Sequence, residues 1–257
     1  MHLKNNWIAF FTLFRREFIR IMRIWPQTIL PPIITTSIYY VIFGEIMGPR
    51  IGDINGVPYI QYIVPGLIMM AIITNAYTNV VTSFYLNKFQ RNVEEMLVSP
   101  MPNYTILAGY VAGGVLRAML VGVLVSMVSL VFCEMPIYSW SLTIIFSICT
   151  AVLFSIAGFV NGIFAKSFDA ISVVPTFVIT PLTYLAGVFY STALLKGFWQ
   201  TLTFFNPIFY LVDGFRYGIL GRSEIAIEHT LLAMITMVLL LYGFAIWLLN
   251  RGVGLRT

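Results

Sequence analysis

Residues 54–87 read INGVPYIQYIVPGLIMMAIITNAYTNVVTSFYLN, and no Asp, Glu, Lys or Arg interrupts them. A helix needs about 20 apolar residues to cross a hydrocarbon core, and a charge at its centre costs a few kcal/mol, so such gaps are rare in soluble domains. The same kind of gap recurs on either side. Ile24–Gly44 comes first, then Met96–Leu116 and Ala118–Cys133, split only by Arg117, and then Met135–Ala165, Ala170–Leu195 and His229–Asn250. Hydrophobic residues make up 59% of the 257-residue chain and charged residues 10%, where a soluble chain would carry roughly 25%. Mean hydropathy is +0.89. The expectation is an all-α polytopic membrane protein, a single transmembrane domain over residues 1–257.

Six spans are predicted, at about 27–47, 62–84, 104–132, 139–164, 171–190 and 229–249, which puts both termini on one side. That side collects Lys4, Arg15, Arg16, Arg20, Arg23, Lys88, Arg91, Lys166, Arg251 and Arg256, and the other only Arg50, Lys196, Arg216 and Arg222. By the positive-inside rule both termini are cytoplasmic. The net charge of +5 fits basic flanks facing anionic lipid; no stretch has the Lys/Arg density of a nucleic-acid surface. Cys133 and Cys149 read as small apolar residues, with no disulfide framework or metal spacing. No GxxxxGK[ST], HExxH or GxSxG occurs, so no catalytic, cofactor or metal site is expected, and the chain cannot hydrolyse ATP alone.

Two regions depart from spans and short loops. In residues 4–25, Trp7, Phe11, Phe14, Phe18, Ile21 and Trp25 recur at alternating steps of four and three, with Arg16, Arg20 and Arg23 on the opposite face. That is the pattern of a helix lying in the membrane interface, ended by Pro26; a fraying first turn of span one is the plainer alternative. Residues 190–228 are too apolar for a solvated loop, with Trp199, Phe204, Phe205 and Phe209 around Asn206-Pro207. Two short re-entrant helices over 192–218 are expected, capping the outer side and leaving Asp213 and Arg216 near headgroups.

Small residues mark close helix approach. Gly109 and Gly113 lie in span three, Gly158 and Gly162 form a GxxxG in span four, and Gly214 and Gly218 form another. A packing seam and a surface that slides between states both fit them. Arg117, the one charge deep in a span, either snorkels to the interface or lines a polar path. In the loop at 88–100, charges alternate with apolar residues at helical spacing. A short helix presenting Phe89, Val93, Met96 and Leu97 to a soluble partner explains this better than a solvated connector.

The loop segment Gln90-Arg91-Asn92-Val93-Glu94-Glu95-Met96-Leu97-Val98-Ser99-Pro100 resembles the cytoplasmic loop of ABC-2 type permeases, the membrane subunits of type-2 ABC exporters. Pro181 to Tyr190 (PLTYLAGVFY), Asn206-Pro207 and Gly214-Phe215-Arg216-Tyr217-Gly218 are similar to that family's C-terminal signature. The resemblance covers the whole chain. It implies an exporter subunit in a bacterial inner membrane, paired with a second copy and with a separately encoded ATPase that binds ATP and Mg. Phe89, Arg91, Glu94, Glu95, Met96 and Leu97 would then form the coupling helix seated in that ATPase. Trp199, Asn206, Pro207, Asp213 and Arg216 would belong to the outer cap. The family's substrates span glycans, lipids and drugs, so the exported molecule stays unknown. The rival from another class is an ion-coupled secondary transporter, which lacks a visible internal repeat or midplane carboxylate here. A membrane enzyme lacks nucleophile, base and metal site.

Overall fold

The computed structural model describes residues 2–54, 56–99 and 101–254, with backbone alone at residues 2–5 and at Leu97. An amphipathic helix, His2–Arg23, leads into six helices long and apolar enough to cross a membrane: Trp25–Ile51, Tyr59–Phe89, Asn103–Phe132, Trp140–Phe164, Phe168–Leu185 and Ile227–Arg251. They are called spans one to six. A minimal hairpin, Asp53–Ile54 against Val57–Pro58, joins spans one and two. A loop helix, Asn92–Val98, joins spans two and three, and a helical pair, Phe198–Phe205 and Pro207–Leu220, precedes span six. The architecture is that of an all-α polytopic membrane protein.

Local chemistry sets the boundaries. Pro58 and Pro102 stand just before spans two and three, where a missing N–H costs nothing. Ser139 and Ser167 cap spans four and five, their hydroxyls accepting from the amides of Leu142 and Ala170. Span five ends at Leu185, short of residue 190, because the chain turns at Gly187, whose φ of +71° favours glycine.

Span two is the axis of the molecule. Its apolar residues go all the way round, and Ile63, Ile68, Ile73, Val80 and Phe84 are all enclosed, as expected of a helix with neighbours on every side. Spans three and four approach it closely through small residues. A Cβ on Gly158 would sit 2.5 Å from the Tyr77 carbonyl oxygen, and one on Gly162 would sit 2.9 Å from the Phe84 ring. Spans one and five are irregular: Pro31 and Pro32 interrupt span one before a π-helical stretch at Tyr40–Met47, and a π-helical turn at Pro175–Ile179 interrupts span five.

The two ends of the described chain lie together. Asn6 donates to the Tyr104 hydroxyl at 2.9 Å and Asn103 donates to the Asn250 amide oxygen at 2.8 Å, so the first helix and the last span both meet the start of span three. The amphipathic helix keeps Trp7, Phe11 and Phe18 exposed, and Trp25 at the start of span one is exposed as well. Its other side differs from the sequence expectation: Leu13, Glu17 and Ile21 are buried at steps of four, Leu13 against Gly109 and Glu17 against Gly113, so Ile21 leaves the aromatic face.

Candidate functional site

A groove of about 300 Å³ runs between spans one and two. Its polar lining is Gln27, Thr28, Thr35, Thr36, Tyr39, Thr74, Asn75, Thr78 and Arg117, with Pro31, Pro32, Leu67, Met70 and Ala71 completing the wall. Polar side chains on a membrane-embedded face mark a path or a protein contact, because hydrocarbon offers them no partner. Arg117 lines this groove, with its Nε donating to Asn75 Oδ1 at 3.3 Å.

Asn75 is the first rung of a polar ladder that the sequence reading missed. Asn75, Asn79, Ser83 and Asn87 are spaced by four on span two and each meets a charged side chain. Arg20 donates to Asn79 Oδ1 at 2.6 Å, Ser83 donates to Glu17 Oε1 at 2.5 Å, and Arg16 donates to Asn87 Oδ1 at 3.2 Å and to the Tyr110 hydroxyl at 3.0 Å. Glu17 is 1% exposed and pairs with Arg20 at 2.8 Å. Two expectations are thereby corrected. A buried carboxylate does exist beside Arg117's neighbourhood, and Arg16 and Arg20 turn toward the bundle, not toward lipid headgroups. The physical reason is that span two offers amide and hydroxyl partners which outcompete a water-filled headgroup layer for guanidinium donors.

The small residues pack within the chain. A Cβ on Gly109 would reach 2.7 Å from Leu13, and one on Gly113 would reach 2.7 Å from Glu17, so span three's glycines seat the amphipathic helix. Gly158 and Gly162 seat span two, and Gly214 and Gly218 seat span four at Phe146 and Thr143. These seams leave none of the four span glycines in the groove.

The ladder runs down to the loop helix, where Asn92 Nδ2 lies 3.5 Å from Asn87 Oδ1. Here the structure divides the residues the sequence grouped together. Val93 is 3% exposed and Met96 packs into the same internal cluster, with the Tyr110 hydroxyl donating toward Met96 Sδ. Both hold the loop to its own bundle and do not face outward, because the helix is short and needs an internal anchor. Phe89, Arg91, Glu94, Glu95 and Val98 are exposed, Val98 at 88%. The side chain of Leu97, and Pro100, lie outside the described residues. Arg91 takes φ +62°, strained for a residue with a Cβ, at the turn between Phe89 and the loop helix. Beside it Lys88, Arg91 and Lys166 line a basic hollow of about 510 Å³, with Lys88 Nζ donating to the Ile163 and Ala165 carbonyls. Phe168 stacks edge-on against Phe89 there, ring centroids 5.4 Å apart.

In the helical pair, Asn206 caps the second helix by accepting from the Ile208 amide, and it donates to the Leu182 carbonyl at 2.6 Å; Pro207 starts that helix. Asp213 and Arg216 are enclosed by protein instead of lying near headgroups. The Asp213 carboxylate accepts from the amides of Glu224 and Ile225, while burial pushes its pKa up to about 6. Arg216 donates to the Gly187 carbonyl at 2.6 Å and stacks over the Tyr62 ring at 4.1 Å; its Nε and Nη1 are buried without a partner. Glu224 accepts from Tyr62 and from the Thr192 hydroxyl and amide, which closes the knot. Phe209 is enclosed, but Trp199 and Phe205 remain exposed at 57% and 82%, so this chain alone does not shelter them. Among the described residues, no three His, Cys, Asp or Glu side chains gather where a metal could sit.

Six helices long and apolar enough to cross a membrane define a multi-pass membrane protein. The family model for the ABC-2 type transporter matches residues 8–220. The chain is 52% identical over 257 residues, 100% of each chain, to the inner membrane transport permease YadH of Escherichia coli strain K12. It is 26% identical over 250 residues to nodulation protein J of Neorhizobium galegae, covering 96% of this chain and 93% of that one. The chain belongs to the ABC-2 type transporter family: it is a multi-pass transport permease of an ABC system, and not itself an enzyme.

Proposed function

We propose that this chain is the permease subunit of an ATP-driven exporter, working as a pair of copies, each docked to a separately encoded ATPase that binds ATP and Mg. The observation that carries this reading is the loop between spans two and three, whose helix uses Val93 and Met96 to hold to the bundle while the loop presents Phe89, Arg91, Glu94, Glu95 and Val98 outward. Exposed apolar residues ringed by both signs of charge suit a docking helix. The ladder from Asn87 to Asn75 joins that surface to the groove at Arg117, which gives a push on the loop a route to the translocation path. Spans one and five suit a second copy, since their apolar faces are mostly uncovered and their prolines break the helix regularity that lipid-facing helices keep. The exposed aromatic face of the amphipathic helix suits the lipid interface, and the Lys/Arg distribution supports cytoplasmic termini in an inner membrane. Ion-coupled transport has less behind it, because the buried carboxylates Glu17 and Asp213 are both already held by protein donors.

The test is co-purification in mild detergent with the separately encoded ATPase, and ATPase activity in lipid. Phe89→Ala with Val98→Ala removes exposed knobs whose truncation costs on the order of 2 kcal/mol of binding, so partner retention should fall about 30-fold with the thermal midpoint unchanged. Met96→Ala should do the reverse, lowering the midpoint first. Full retention and stimulation in the Phe89/Val98 variant would reduce the loop to a connector.

A further inference from the structure

We propose that the groove between spans one and two binds an anionic amphiphile: one phosphate or carboxylate held on Arg117, a hydroxyl- or amide-bearing body along the threonines, and an acyl chain leaving along span one. It rests on the exporter reading, since the groove is that reading's translocation path, and it names the class of molecule the path takes.

The sign of the ligand follows from charge. Among the described residues only Arg16 and Arg20 form ion pairs, both with Glu17, and Glu17 is further occupied by Ser83. Arg117 is left with a single hydrogen bond, Nε to Asn75, and that amide's own Nδ2 is committed to the Ala71 carbonyl. A guanidinium at membrane depth without a counter-charge is costly, and a bidentate oxyanion is the group that matches its free edge. A cationic ligand would meet Arg117 with Arg20 close by, and a neutral one would leave the guanidinium uncompensated.

The body of the ligand follows from which way the hydroxyls donate. Thr28, Thr74 and Thr78 each donate to a carbonyl four residues back on their own helix, at Ile24, Met70 and Thr74, so they present acceptor lone pairs to the groove. Pro31 and Pro32 have no N–H to give the carbonyls of Gln27 and Thr28, which adds acceptors on the same wall. Gln27, Thr35, Thr36 and Tyr39 on the same wall add groups that can donate as well as accept, so the groove suits a molecule that is acidic at one end and carries hydroxyl or amide groups beyond it. The tail follows from Pro31, Pro32, Leu67, Met70 and Ala71, the apolar wall that runs beside the threonines and that an acyl chain would cover. The groove's volume of about 300 Å³ holds a headgroup and not a folded chain.

The full-length permease in phosphatidylcholine nanodiscs, with and without its ATPase, would be titrated with dodecyl phosphate, dodecyl maltoside and dodecyltrimethylammonium, reading thermal midpoint and occupancy by native mass spectrometry. Dodecyl phosphate should bind at least tenfold tighter than the trimethylammonium probe. Arg117→Gln should abolish that preference, Arg117→Lys should keep part of it, and Arg15→Gln, exposed on the amphipathic helix, should leave it intact. Two further arms identify the source. Phosphatidylglycerol retained by the native protein and lost from Arg117→Gln would make a membrane lipid the ligand, within the proposal; inorganic phosphate binding as tightly as dodecyl phosphate would overturn the amphiphile. A preference that survives Arg117→Gln, or no preference for the anionic head, also overturns it. The binding readout needs no ATPase, so a failure of the exporter reading shows separately, as absent ATPase stimulation in the co-purified complex.

Discussion

Spans two and five are both charge-free in their apolar stretches and both carry proline, yet their surroundings are opposite. In span two 83% of the most apolar stretch is buried within the chain, and in span five 11% is. Hydropathy does not separate them, because lipid tails are as apolar as a protein interior, so the hydrophobic effect gives a membrane helix no reason to choose one over the other. What separates them is the size of what faces them and the polarity of one stripe. Span two has Gly114, Gly122, Gly158 and Gly162 pressed against it, and its Asn75-Asn79-Ser83-Asn87 stripe is answered by arginines and Glu17. Span five turns Phe177 and Val178 outward, at 74% and 47% exposure, and the hydroxyls of its Ser172, Thr180 and Thr183 donate to its own backbone instead of meeting a charged side chain.

The comparison is broken most severely at the tightest seam. Gly158→Leu forces a side chain onto the Tyr77 carbonyl, a backbone atom that cannot rotate away, so the cost should reach the upper end of overpacking, about 3 kcal/mol or more. The variant should be lost from the monodisperse fraction in size-exclusion chromatography. Gly243→Leu in span six, which meets nothing within 4 Å, should elute as the parent does. Equal behaviour of the two would mean that span four does not need its small face.

Next in size is the ladder. Glu17→Ala leaves Arg20 without its carboxylate beside Asn79. Breaking a buried pair typically costs 3–5 kcal/mol, and because Arg20 keeps 24% of its side-chain exposure about 2 kcal/mol is expected here. Arg20→Met added to Glu17→Ala removes the stranded charge, so the double variant should be more stable than the single one in thermal unfolding. A double variant no better than the single would show the pair to be incidental.

Much of this frame is legible in the sequence, and for one reason. A charge-free gap is a statement about solvent, and seven such gaps, two of them split only by Arg117, became six helices. What the gaps could not show is which neighbour each helix faces. The ladder lies in plain view within residues 54–87, but Asn and Ser at every fourth position are uncharged, and a count of charges passes over them. Glu17 reads as one acid in a basic flank, and only its step of four between Leu13 and Ile21 hints that it points inward. Arg117 stands out as a lone charge, but nothing in its own span names Asn75 as the partner across from it. Met96 was misplaced because a short loop helix has two apolar sides, and only tertiary contacts say which one is spent at home. Asp213 and Arg216 were expected near headgroups since nothing in their own segment announces Glu224, Gly187 or Tyr62 as partners.

The smallest effect on the fold should come from span five, and it is the one that sharpens the comparison. Phe177→Ala removes a ring that touches little of its own chain, so the stability of a single subunit should stay within about 0.5 kcal/mol of the parent. The informative quantity is then association. If a second copy covers this face, losing a central aromatic anchor should cost about 2 kcal/mol of pairing, a shift of about 30-fold in the monomer–dimer midpoint on dilution into lipid. Val173→Ala, on the same helix and 49% exposed, should shift it less because it gives up less area. If the face meets only lipid, neither substitution moves the midpoint, since the ring exchanges one apolar neighbour for another. An unchanged midpoint for Phe177→Ala would therefore assign span five to the bilayer, and the second copy would have to be sought on another face.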